Sequence, residues 1–151
     1  VHCLKDHNVT KVYRLPARVV SLAGSWSGAS GDVQYAAVCA LLGTGKVMCW
    51  GRGKTTNVAD FGTASAAWVL YPVEIPGVDD AVDLDCDFDH CCAVKSDGAV
   101  LCFGDNAQKQ LAQGSNSAQT AVVTTSVTGA ARVCTGYISC AVHTSGTVTC
   151  W

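Results

Sequence analysis

Cys92-Ala-Val-Lys-Ser-Asp-Gly-Ala-Val-Leu-Cys102-Phe103 is the second of three copies of one line. The first reads Cys39-Ala-Leu-Leu-Gly-Thr-Gly-Lys-Val-Met-Cys49-Trp50, and the third reads Cys140-Ala-Val-His-Thr-Ser-Gly-Thr-Val-Thr-Cys150-Trp151. Each copy holds two cysteines ten residues apart, with Thr44-Gly45, Asp97-Gly98 or Ser145-Gly146 between them. Turn dipeptides flanked by short apolar runs are the pattern of a β-hairpin. Folding the first copy about Thr44 sets Cys39 against Cys49, Ala40 against Met48 and Leu41 against Val47. Opposed Cβ atoms on paired strands lie about 4.5–5.5 Å apart, close to the separation a disulfide needs. Cross-strand bridges Cys39–Cys49, Cys92–Cys102 and Cys140–Cys150 are therefore expected. Each closes a short loop and contributes about 2–3 kcal/mol in the chain-entropy model.

The copies recur 53 and then 48 residues apart, a period that belongs to propeller and solenoid arrays. Val1-His2-Cys3-Leu4 repeats the pattern of Val47-Met-Cys49-Trp50, so the chain opens in the second strand of a hairpin and the partner of Cys3 is expected upstream. Between hairpins lie further strand-like pairs: Val12-Tyr-Arg-Leu15 then Arg18-Val-Val-Ser-Leu22, Leu70 to Gly77 then Ala81 to Cys86, and Val122 to Val127 then Ala131 to Cys134. The expected fold is all-β, with about three four-stranded propeller blades. Residues 1–151 form a single segment with repeats at 5–50, 51–103 and 104–151, and residues 1–4 form the last strand of a preceding blade. No long amphipathic helix is readable. Residues 60–70 are Ala-rich but interrupted by Gly62 and β-branched residues.

Nearly half of the residues (49%) are apolar, which is ample for a core, and only 15% are charged. A net charge of −2 gives no electrostatic argument for nucleic acid or an anionic membrane, and no apolar run reaches membrane-spanning length. Ten cysteines, most of them paired by spacing, point to an oxidising compartment: secreted, extracellular or cell-surface. Asn8-Val9-Thr10 is an N-glycosylation triplet, so Asn8 is the expected glycan site of a secretory glycoprotein. The chain begins at Val1 without an initiator Met, as expected of processing or excision from a longer chain.

The chain resembles the regulator of chromosome condensation repeat family in a cysteine-rich extracellular form. The residues that carry the likeness run from Cys92 through Cys102-Phe-Gly-Asp-Asn106 to Gln110-Leu-Ala-Gln-Gly114. His90 falls where the family often has a His before the hairpin cysteine, and Gly24 and Gly136 fall near its small Ala-Gly turn. The first repeat departs from the pattern: Gly51 is followed by Arg-Gly-Lys, and residues 24–34 read as an inserted surface loop. The resemblance implies a propeller of seven blades. Three repeats cannot close such a ring, so the expectation is a segment of a longer propeller, with closure by association of copies (a homo-oligomer) as the other route.

Asp83, Asp85, Asp87 and Asp89 alternate with apolar residues, which places four carboxylates on one strand face. Such a row diverges along the strand, so an acidic face or channel lining is expected ahead of a calcium site. Cys86, His90, Cys91 and Cys92 are dense enough for zinc, but Cys92 is claimed by Cys102 and neighbouring cysteines point to opposite faces. Cys86 and Cys134 each stand six residues before a hairpin cysteine and are expected to bridge neighbouring blades, leaving Cys91 without a partner. No nucleophile–base arrangement is readable, and Gly53-Lys54-Thr55 lacks the glycine and the strand-to-helix context of a phosphate loop. Trp50, Phe103 and Trp151 are expected to pack inside the blades, whereas Trp26 and Trp68 are candidate contact residues. The expected function is a non-enzymatic, cofactor-free extracellular scaffold or protein-interaction module, with recognition in the loops at 24–34, 52–66 and 105–119. The alternative is a secreted propeller that binds a ligand or glycan or inhibits an enzyme. Nucleotide exchange on a nuclear GTPase, the activity of the family's namesake, is disfavoured by the near-neutral charge and the paired cysteines.

Overall fold

The computed structural model describes residues 2–5, 8–12, 14–27, 35–52, 69–87, 90–106, 108–114 and 119–151. These residues form thirteen β-strands and no helix. Strands β1 (His2–Lys5) and β2 (Asn8–Val12) pair with each other as a two-stranded sheet. A four-stranded antiparallel sheet follows, in which β3 (Val19–Ser27), β4 (Tyr35–Leu42), β5 (Val47–Arg52) and β6 (Val69–Glu74) are neighbours in chain order. The same meander recurs in β7 (Ala81–Asp87), β8 (His90–Lys95), β9 (Val100–Gly104) and β10 (Gln119–Thr124). A third sheet holds β11 (Ala130–Cys134), β12 (Cys140–His143) and β13 (Val148–Cys150). These sheets are propeller blades.

The hairpin lines form the central strands of each blade. Cys39 stands opposite Cys49, Cys92 opposite Cys102 and Cys140 opposite Cys150. All three pairs are disulfides, with Cα–Cα separations of 4.1, 4.1 and 4.0 Å. The sheets are out of phase with the sequence repeats. The stretch 51–103 contains β6, the last strand of one sheet, and β7 to β9 of the next. At the start of the chain, β2 joins β1 in its own sheet, so the earlier sheet extends past residues 1–4.

Two apolar cores lie between the three blades. Leu41 and Val47 of the first blade meet Ala81, Leu84 and Ala93 of the second. Val94 and Val100 of the second meet Ala130, Val133 and Ala141 of the third. A smaller cluster of Ala40, Leu42 and Trp50 lies on the other face of the first blade. Trp50 and Phe103 are buried, as expected of packing residues.

One backbone joint fixes how each blade meets the next. The Gly45 carbonyl accepts a hydrogen bond from the Ala81 amide at 2.9 Å, and the Gly98 carbonyl accepts one from the Ala130 amide at 3.0 Å. The residue just before each of these strands is tied to its own sheet: Ser96 N donates to Asp80 O, and Thr144 N to Gly129 O. Gly45 and Gly98 have φ of +79° and +83°, and a Cβ on them would lie 2.6 Å from the Asp80 Cα and 2.9 Å from the Gly129 Cα. Glycine is thus required twice over, by conformation and by the close approach of the next blade. Gly146 shares the conformation (φ +86°), but a Cβ on it would meet nothing within 4 Å. Gly98→Ala is expected to lose about 2–4 kcal/mol in urea unfolding, against about 1 kcal/mol for Gly146→Ala, which bears only the backbone cost. Equal losses would contradict the joint.

Candidate interaction surface

The alternating aspartates of β7 are occupied in fastening the second blade to the third. Asp83 accepts from the Val133 amide at 2.9 Å and pairs with Arg132 at 3.3 Å. Asp85 accepts from the Thr135 amide at 2.7 Å and from the Thr135 hydroxyl at 3.1 Å. Neither an acidic channel face nor a calcium site describes these two carboxylates: they satisfy strand amides that have turned away from their own sheet. Asp89 lies outside the described residues.

His90 supplies a second fastening. It is fully buried, and its Nε2 lies 2.9 Å from the Ser139 Oγ. The Ser139 hydroxyl donates to the Gln110 carbonyl at 2.9 Å, and the Trp151 Nε1 donates to the same oxygen at 2.8 Å. With its proton so committed, Ser139 accepts from His90 Nε2–H, which places a proton on Nε2. Burial holds His90 at a pKa of about 4, below the ordinary 6.5, against the opposing pull of Asp87, Asp105 and Asp85. The pair resembles a nucleophile and its base, but both side chains are sealed between blades. The 105–119 loop is itself partly built into this network. Asn106 and Leu111 are fully buried, and Asn106 Oδ1 accepts from the Leu111 amide at 2.9 Å, so these residues anchor the loop while Gln108 and Lys109 between them are exposed.

The cysteine pairing differs from expectation at two positions. Cys86 does not bridge to Cys134; it pairs with Cys91, which stands directly opposite on β8. Cys134 is an exposed free thiol. The reason lies in the third blade, where the residue before the hairpin cysteine is Ser139 rather than a second cysteine, and Ser139 is engaged with His90. The Cys39–Cys49 and Cys86–Cys91 disulfides touch across the first joint, with Cys39 Sγ 3.9 Å from Cys91 Sγ. The buried Cys39, Cys86 and Cys91 sulfurs are close enough together to suggest a metal centre. Their being consumed in disulfides leaves no thiolate to ligate.

The described surface is least complete on the outward face of the third blade. Leu41 and Val47 are 1% and 0% exposed, and their counterparts Val94 and Val100 are both 0% exposed, because the next blade covers them. The third pair, Val142 and Val148, is 42% and 60% exposed. Ile138, in the connection between β11 and β12, is 60% exposed. On the first blade Val20 and Leu22 are likewise exposed, at 58% and 53%. The remaining sequence candidates contribute less. Asn8 and Trp26 lie in β2 and β3, where the backbone alone is described, and Trp68 and most of the loops at 24–34 and 52–66 lie outside the described residues.

The depressed pKa of His90 has a signed consequence. The folded protein disfavours the imidazolium, so stability is complete above about pH 6.5 and falls as pH drops toward about 4, by up to about 3 kcal/mol at about 1.4 per pH unit. In His90→Gln, whose amide keeps a donor near the Nε2 position, this part of the acid slope is expected to vanish. Urea unfolding of both proteins at several pH values checks it, and identical slopes would contradict it.

Residues 82–110 match the family model described as the regulator of chromosome condensation (RCC1) repeat. No curated protein matches the chain. Among solved structures, the chain is similar to human WBSCR16, with a TM-score of 0.71 at 21% identity over 97% of this chain and 36% of that one. It is similar to Prp20p from Saccharomyces cerevisiae, whose structure was described with its binding properties to Gsp1p and histones, with a TM-score of 0.61 at 18% identity over 76% of this chain and 28% of that one. Yeast RCC1 (Prp20) bound to Kap60 gives a TM-score of 0.61 at 17% identity, over 76% of this chain and 27% of that one. The chain thus spans between 27% and 36% of the length of these proteins, and it has the blade arrangement of an RCC1-type β-propeller.

Proposed function

We propose that the chain is a non-enzymatic, extracellular protein-interaction module, and that the outward face of its third blade meets a further β-sheet, supplied by more of the same propeller or by a protein partner. The exposure of Val142 and Val148 carries this reading. The two internal joints indicate what such a face accepts: a β-sheet whose apolar residues cover these side chains and whose first strand offers an amide to the Gly146 carbonyl, as Ala81 and Ala130 do for Gly45 and Gly98. A protein partner agrees with the binding of Gsp1p, histones and Kap60 by Prp20, which has the same fold. A binding role agrees with the closure of the Ser139–His90 pair, since a hydroxyl that donates to Gln110 in a sealed joint cannot meet a substrate. An extracellular setting is supported by four disulfides, which reducing compartments do not sustain.

A second copy of the chain serves as the probe, since its first blade presents exposed Val20 and Leu22. Sedimentation velocity between about 1 and 100 μM, the range of modest interfaces, is expected to show concentration-dependent association. Val148→Asp is expected to weaken it by about tenfold or more, with unfolding midpoints unchanged because the residue is exposed in the free chain. Association that is absent, or insensitive to this substitution, would count against the face.

A further inference from the structure

We propose that Cys134, Cys140 and Cys150 form a thiol–disulfide exchange site on the outward face of the third blade. Cys134 is free and exposed. It stands directly opposite Cys140 in the β11–β12 pair, and Cys140 stands directly opposite Cys150 in the β12–β13 pair. Directly opposed residues of antiparallel strands share a face. The strand order β11-β12-β13 therefore sets the three cysteines in a row across the sheet, with Cys140 in the middle and bonded to Cys150.

The backbone makes both pairings reachable. Ser139 and Trp151 exchange amide-to-carbonyl bonds of 3.0 and 2.9 Å, so the adjacent pair Cys140–Cys150 is the close, non-hydrogen-bonded kind, consistent with its 4.0 Å Cα separation. Alternation then makes Cys134–Cys140 a hydrogen-bonded pair, with Cα atoms about 5.5 Å apart, inside the range of roughly 4.4–6.8 Å that a disulfide spans. Displacement at sulfur proceeds in line. Cys134 approaches Cys140 from the side opposite Cys150, which is the required direction.

The step is balanced without an added oxidant or reductant. Cys134 gives its proton to solvent, and its thiolate forms a bond to the Cys140 sulfur. The Cys140–Cys150 bond breaks, and Cys150 leaves as a thiolate that takes up a proton. The chain then carries a Cys134–Cys140 disulfide and a Cys150 thiol, so the free thiol moves from β11 to β13. The first joint shows the opposite arrangement: its two disulfides are in contact, but all four sulfurs are buried and none is a thiol that could begin exchange. The proposal does not depend on what docks on this face.

The test is alkylation of the folded chain with N-ethylmaleimide after equilibration at about pH 8, where a free thiol is partly thiolate, followed by disulfide mapping without reduction. Label is expected on both Cys134 and Cys150, with amounts within about tenfold of each other, together with a Cys134–Cys140 linkage. In Cys134→Ser, label on Cys150 is expected to disappear. In Cys150→Ser equilibrated with oxidised glutathione, which takes up the two electrons, Cys134 and Cys140 are expected to join as a disulfide and resist labelling. Label confined to Cys134 in the unmodified chain, persistent Cys150 label in Cys134→Ser, or two free thiols in folded Cys150→Ser after equilibration with oxidised glutathione would each overturn the proposal.

Discussion

A single backbone hydrogen bond, from the first strand of one blade to the hairpin-turn glycine of the blade before it, constrains the rest of the structure. It is made twice, at Gly45–Ala81 and Gly98–Ala130. The glycine is needed because the turn has positive φ and because the neighbouring backbone occupies the space of a Cβ. Once this contact sets the offset between blades, the faces of β4 and β8 come to lie under the next blade and bury Leu41 and Val94. The same offset brings Val133 and Thr135 amides to the carboxylates of Asp83 and Asp85. Disulfides act at a different level: they hold neighbouring strands within a blade together, whereas the joint, the aspartates and the His90–Ser139 bond hold blades to each other.

The fold was legible because its signal is local and repeated. Two cysteines at fixed spacing around a turn glycine define strand, register and pairing at once, and three copies define an array. The contacts between blades were not legible in the same way, since they depend on which strand lies beside which. Asp83 and Asp85 announce one polar strand face, but nothing in the chain says that the face meets amides rather than water or a cation. The Cys86–Cys134 expectation failed for a related reason. Equivalent places in neighbouring repeats are related by the step between blades, while a disulfide needs adjacency, and Cys91 on the paired strand was nearer. The signal was present in the difference between Cys91 and Ser139 at corresponding positions.

The third blade combines the features on which the proposed interaction rests. Its packing residues repeat those of the first two blades in kind, but Val142 and Val148 are open, a Cβ on Gly146 would meet nothing within 4 Å, and a free thiol faces a disulfide. A surface preorganised as one side of a known joint has little conformational entropy to lose on docking. The polar groups that elsewhere suggest chemistry, His90 with Ser139, serve instead to close the joint between the second and third blades.

Native-state amide exchange tests the role of the joint most directly. The account predicts that the Ala81 and Ala130 amides, and the Val133 and Thr135 amides held by the β7 aspartates, exchange only through global unfolding, with the same opening free energy as the central amides of β8. Exchange of these joint amides through local opening, while β8 remains protected, would contradict the claim that the blades are held as one cooperative unit.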